Sequence, residues 1–375
     1  MAEAADRPAG LVDWALAQRV ADWAVARNDP PASYREPALQ AEFDELTVQA
    51  EELVASSTGL RSPVGPARAR VVGRSDWVAV NVAAIDRLLS PTLRKLEARR
   101  TGSPALAMLP AWVPDRLAGA SRAVSGAQFG LVLSWMSSRV LGQYDLLITD
   151  DAPDDQDIVY YVGPNVVALE ERYGFPAREF RLWLALHEVT HRCQFTGVPW
   201  LRDHFVSLVD AGLEPLAADP ARLTEALRRL TEELRAGHSP IGDAGMIGLV
   251  ATPEQLEAIQ RVQALMSLLE GHGDVVMDRA GAGAVPGAER FSRILHERRQ
   301  QVRGPAKLLQ QVLGLEAKLR QYAEGEAFVT AVEAAGGPEL FNRVWQGPEW
   351  LPSLVEIRDP DQWIARVRSA PALAG

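Results

Sequence analysis

Phe180-Arg181-Leu182-Trp183-Leu184-Ala185-Leu186-His187-Glu188-Val189-Thr190-His191 is a mostly apolar run that closes on H-E-x-x-H. Pro176 suits a first helical turn, Glu179 follows early, and Thr196-Gly197 with Pro199 supply the stop, so the run predicts a buried helix. Four residues advance a helix a little over one turn, which puts His187 and His191 on one face, able to chelate a single small cation. Zinc fits that arrangement. It accepts neutral imidazole nitrogen, and a catalytic zinc site uses three protein ligands and leaves one position for water. Glu188, directly after the first histidine, is placed to act on that water as general base. Two imidazoles deep in an apolar helix are costly unless they share a partner, which favours a metal over two isolated core histidines.

A third ligand is needed, and three candidates occur. Leu268-Leu269-Glu270-Gly271-His272-Gly273-Asp274 holds the first two. Glu270 and Asp274 are four apart and share a helix face, whereas His272 points about 200° away from Glu270. An E-x-x-x-D pair downstream of H-E-x-x-H resembles the arrangement of the glutamate-zincins, a resemblance that implies zinc binding by the glutamate and a hydrogen bond between the aspartate and a ligating histidine, fixing its tautomer. Glu270 is the first choice and His272 the second. His296, in a basic solvent-facing stretch, is the third. Gly271 and Gly273 each cost a helix about 1 kcal/mol relative to alanine, and are explained if another backbone or the metal site comes close.

Composition bounds the rest. With 375 residues, 47% of them hydrophobic, and ten tryptophans, the chain can build a large core in one or two lobes. A net charge of -10 argues against nucleic acid or an anionic membrane as partner. Met1 to Gly10 has no basic segment followed by an apolar one, so a cytoplasmic protein is expected. The single cysteine, Cys193, suits a reducing compartment, and its offset of two from His191 turns it into the core rather than toward the metal. The most apolar run, 126–142, is broken by Gln128, several serines and Arg139, and is no membrane span.

Helical periodicity dominates elsewhere, with helices expected near 11–27, 36–57, 75–89, 202–213, 219–236, 253–278, 288–301 and 305–325. Thr252-Pro253-Glu254-Gln255 reads as a capped helix start. Strand character concentrates in Tyr144–Ile148 and Ile158–Val162, joined by an acidic loop, which reads as a hairpin. Arg70-Val71-Val72 is a further short apolar run. The fold class expected is mainly α, with a small β-hairpin or sheet beside the H-E-x-x-H helix. Three regions follow from this reading: an N-terminal helical region 1–125, a catalytic region 126–300, and a C-terminal helical region 301–375.

Several blocks together resemble the type-2 zincin-like metallopeptidase family, known mainly from actinobacteria and associated with biosynthesis of the deazaflavin coenzyme F-420. They are Arg74-Ser75-Asp76-Trp77-Val78, Val140-Leu141-Gly142-Gln143-Tyr144-Asp145, Leu182 through Phe195, Val198-Pro199-Trp200-Leu201-Arg202, Leu268 through Asp274, Gly314 through Tyr322, Trp350-Leu351-Pro352 and Asp359-Pro360-Asp361-Gln362-Trp363. The resemblance covers most of the chain and implies a mostly helical zincin-like fold and a hydrolase activity. Among these blocks, Lys318, Arg320 and Tyr322 offer donors for a developing oxyanion, with salt bridging as their plainer use.

The expectation is therefore a zinc hydrolase of a peptide or small amide substrate, with His187, His191 and Glu270 as ligands, Glu188 as base and Asp274 behind a histidine. The alternative is a catalytically inactive zincin-like scaffold that binds a partner in deazaflavin coenzyme biosynthesis. Oligomeric state is not legible.

Overall fold

The computed structural model describes residues 11–27, 36–101, 112–144, 157–213, 252–300 and 315–370. The helix expected at 219–236, residues 305–314 of the helix expected at 305–325, and most of the acidic loop after Tyr144 lie outside them. The chain divides into two compact units, one of Met1–Glu45 and Arg68–Gly174, the other of Leu46–Ala67 and Phe175–Gly375.

In the first unit, helices α1 (Trp14–Ala26), α3 (Arg74–Thr101) and α4 (Trp112–Ser137) accompany a three-stranded sheet. Of the expected hairpin, β3 (Ile158–Val162) is present and pairs antiparallel with β2 (Gly142–Tyr144), Gln143 opposite Tyr160; β2 shares only Tyr144 with the first strand expected, whose residues 145–148 lie outside the described residues. On its other edge β3 pairs in parallel with β1 (Arg68–Val72), which places Val71 opposite Tyr161. All five residues of β3 are buried, as a central strand covered on both faces requires. Ile158, Tyr160 and Val162 pack with Val72, Trp77, Val78, Leu133 and Ala21. Helix α1 opens on Asp13, whose side chain caps the Leu16 amide at 2.8 Å. Gly126 and Gly130 of α4 lie against the backbone of Asp13 and Ala17, where any Cβ would collide, so α1 and α4 meet at glycine. Helix α2 (Glu36–Thr58) contributes its first part to this unit and its second to the other.

The second unit is helical: α6 (Ala177–Gly197), α7 (Leu201–Leu213), α8 (Pro253–Gly281), α9 (Ala288–Gln300), α10 (Leu315–Phe341), α11 (Leu354–Arg358) and α12 (Pro360–Ser369). A short helix α5 (Gly163–Tyr173) precedes it in the first unit and ends on left-handed Gly174. The capping box read at Thr252 and Gln255 opens α8. Helix α8 is central, packing on α6, α7 and α10. Its crossing with α10 is close because glycines face each other: a Cβ on Gly271 would strike the backbone of Gly325 and Glu326. Beyond the crossing, Ala264, Leu268, Phe328, Val332, Phe341, Trp350 and Trp363 form an apolar cluster. Helix α10 breaks at Gly337, whose φ of 72° lies in the left-handed region, and Pro338 follows. Among the described residues no helix is long and apolar enough to cross a membrane.

Candidate metal centre

Thirteen of the 21 residues of α6 are buried, including Leu182, Trp183, Leu184, Ala185 and Leu186 ahead of the motif. At its start, Phe175, Phe180, Trp183 and Phe291 form an aromatic cluster with centroids 4.8 to 6.0 Å apart. After the motif, Arg192 is wholly buried and donates to Glu51 Oε1 at 2.6 Å and to the Gly65 carbonyl at 2.7 Å. Glu51 Oε2 in turn accepts from the Ala67 amide at 2.7 Å. The motif helix is thus anchored at both ends. Thr190 closes inside the helix on the Leu186 carbonyl, and Cys193 packs fully buried.

Between these anchors, His187 and His191 turn their Nε2 atoms toward each other at 3.3 Å. Glu270 of α8 brings Oε2 to 3.6 Å from His187 Nε2 and 3.5 Å from His191 Nε2. That oxygen is buried, and these nitrogens are its neighbours. Ligands at about 2.0–2.1 Å from a tetrahedral ion stand about 3.3–3.4 Å from one another, the edge of the tetrahedron. The three separations match that edge. Among the described residues, His187, His191 and Glu270 are the group whose donor atoms could jointly hold a metal ion. The histidine side chains keep 19% and 14% of their exposure, so the cluster is open on one side.

Asp274 stands one turn beyond Glu270 on the same face, its Oδ1 3.9 Å from His187 Nδ1, close enough to act by charge but longer than a hydrogen bond. Gly273 lies between them and faces both rings: a Cβ there would stand 3.5 Å from His191 Cε1 and 3.6 Å from His187 Cε1, ordinary contact that does not itself require glycine. Glu188 is buried, and its charge acts on His191. Burial by itself pushes the His191 pKa down. The hydrogen-bonding and charge of Glu270, then the charge of Glu188 and the acceptor Gln194, outweigh it and raise the value to about 9. In the metal-free protein, a proton therefore sits on His191 where an ion would.

His272 lies away from the cluster, as its offset from Glu270 requires. It is 4% exposed, stacks on Phe341 with centroids 5.1 Å apart, and meets Trp345 edge-on. Burial first, then the positive charges of His191 and Arg279, lower its pKa to about 3, so it is neutral. The side chains of His296, Lys318, Arg320 and Tyr322 lie outside the described residues, although all four positions are helical. One residue at the site went unread in the sequence: Gln194, whose Oε1 accepts from His191 Nδ1 at 3.0 Å. Its signal was only a buried polar residue on the face of α6 one turn after His191. A cavity of about 640 Å³ borders Asp278, one turn past Asp274 on α8, and is lined also by Val285, Pro286, Glu289, Ser292 and Arg293.

The sequence profile of the zincin-like metallopeptidase family matches residues 12–364. The chain belongs to that family. A solved structure from Chloroflexus aurantiacus, described as a "putative hydrolase with a novel fold", is 29% identical and superposes with a TM-score of 0.67, over 96% of this chain and all of that one. No curated protein matches. Family and neighbour together support a metal-dependent hydrolase, and His187, His191 and Glu270 form a group that could hold a metal ion.

Proposed function

We propose that this protein is a zinc-dependent hydrolase of peptide or other amide bonds, with the ion held by His187, His191 and Glu270. The observation that carries the proposal is the spacing of the three donor atoms, 3.3, 3.5 and 3.6 Å, which fits a tetrahedral ion of zinc's bond lengths. Two imidazoles and one carboxylate are the donor set of a catalytic zinc site, and the partial exposure of the rings leaves a side for water and substrate. When bound, zinc polarises a carbonyl oxygen and lowers the pKa of a water ligand from about 15.7 toward about 7.

The chain's own residues do the proton work. Glu188, buried and one position after a ligand, takes the proton from the attacking water and passes it to the leaving nitrogen. Its charge and that of Glu270 favour positive charge at His191, whether a proton or a metal ion. Asp274 biases His187 from the other side of the ring.

The test is Glu188→Gln on zinc-loaded protein, with new amines released from a mixed peptide and amide library followed by mass spectrometry. Turnover should fall about 10²- to 10⁴-fold with zinc retained. Equal turnover in the variant would sink the mechanism.

A further inference from the structure

Gln194 is fully buried, and its amide meets three groups of different hydrogen-bonding character. The Leu269 carbonyl stands 3.0 Å from Nε2 and can only accept, so the NH₂ end faces α8. The second NH₂ proton points to His272 Nδ1 at 2.9 Å, which makes that nitrogen an acceptor and leaves the ring proton of His272 on Nε2. Oε1 then remains for His191 Nδ1, 3.0 Å away, which must donate. With one proton held on Nδ1, the nitrogen of His191 that faces Glu270 and His187 is Nε2, and it is Nε2 that gives up its proton when an ion binds.

From this directed chain we propose that Gln194 and His272 are positioning residues that select the His191 tautomer able to bind a metal, an inference that rests on the metal-centre reading above. The reverse orientation of the amide shows why two partners are needed. Turned over, Oε1 would face the Leu269 carbonyl at acceptor-to-acceptor contact. Its NH₂ would aim at His191 Nδ1, moving that ring's proton to Nε2 and closing the nitrogen that faces the cluster. His272 is itself held by Phe341 and Trp345, so the orientation is set by a ring that touches no ligand atom. Such outer partners of a ligating histidine govern metal affinity because they fix ring orientation and tautomer.

Three substitutions separate the hydrogen bonds from mere packing. Gln194→Met removes all three at similar volume. His272→Phe keeps the stacked ring and deletes the acceptor, while His272→Asn puts an acceptor oxygen where Nδ1 was. Zinc affinity by chelator competition should fall about 10- to 100-fold in Gln194→Met, at least about threefold in His272→Phe, and recover to within about twofold in His272→Asn. In metal-free protein with ¹⁵N-labelled histidine, the His191 Nδ1 proton should be protected from exchange in wild type and His272→Asn, and lost in Gln194→Met. Folded Gln194→Met binding zinc within twofold of wild type overturns the proposal, as does His272→Asn behaving like His272→Phe. Should His272→Phe fail to fold, Gln194→Met and the wild-type spectrum carry the decision. Wild type that takes up no zinc yet shows the protected proton overturns the metal reading while supporting the chain. Zinc bound with no protected proton overturns the chain alone.

Discussion

Replacing Gly271 by alanine tests the close crossing that sets Glu270 against the motif helix. A Cβ at this position would stand 2.6 Å from the Gly325 carbonyl oxygen and nearer still to the Gly325 and Glu326 backbone, where about 3.5 Å is normal. Both sides of the contact are main chain, so no rotamer can yield, and α8 and α10 must part by on the order of 1 Å. Overpacking of this kind costs about 1–3 kcal/mol. Alanine's helical preference returns about 1 kcal/mol. A net loss of about 2 kcal/mol, taken at the upper end because backbone meets backbone, lowers Tm by about 4–8 °C. The neighbouring Gly273→Ala runs the other way. Its Cβ would touch the His187 and His191 rings at 3.5–3.6 Å, ordinary contact, so helical preference alone acts and Tm should rise by about 2–4 °C. Thermal unfolding of both variants, with zinc affinity measured in parallel, is the assay. Gly271→Ala should also bind zinc more weakly, because a shift of Glu270 exceeds the roughly 0.2 Å tolerance of a ligand set. Gly271→Ala melting at or above wild type, or both glycines responding alike, would refute the reasoning.

Two further outcomes follow from the neighbourhood of the cluster. His191 titrates near 9 in the metal-free fold against 6.5 unfolded, so the stability its charge confers is complete below pH 6.5 and is lost as pH rises toward 9. Zinc needs the same nitrogen deprotonated, so zinc affinity should rise about tenfold per pH unit over that window while metal-free stability falls. Parallel melts and chelator titrations from pH 6 to 9.5 check both slopes, and two flat profiles would contradict the account. Glu51→Gln leaves the fully buried Arg192 guanidinium without its carboxylate and should cost about 3–5 kcal/mol in denaturant unfolding. A loss under about 1 kcal/mol would mean the pair does not anchor α6.

Local pattern made much of this protein legible. His187 and His191 are one turn apart and Glu270 and Asp274 another, so each half of the site is visible within a single helix. Joining the halves was an inference across 78 intervening residues, for which the H-E-x-x-H and E-x-x-x-D patterns supplied the only warrant. The same helical arithmetic turned His272 away from Glu270, and it does lie behind the cluster. Gln194 was invisible because a glutamine three residues after a histidine means nothing until Leu269 and His272 are brought opposite it. The hairpin strand β3 was read, but its parallel partnership with β1 joins segments some ninety residues apart and leaves no local trace beyond Val71-Val72. Helix α4 escaped because Gly126, Gly130 and its serines, needed for close approach to α1, dilute the apolar stripe. Helix α3 begins at Arg74 and runs through Pro91 to Thr101, past the end near Leu89 that a proline ordinarily marks.

Anomalous diffraction at the zinc edge from zinc-soaked crystals tests the central claim most directly. The account predicts one strong peak about 2.0–2.2 Å from His187 Nε2, His191 Nε2 and Glu270 Oε2 together. No peak at that point, or a peak held by a different set of residues, would contradict it.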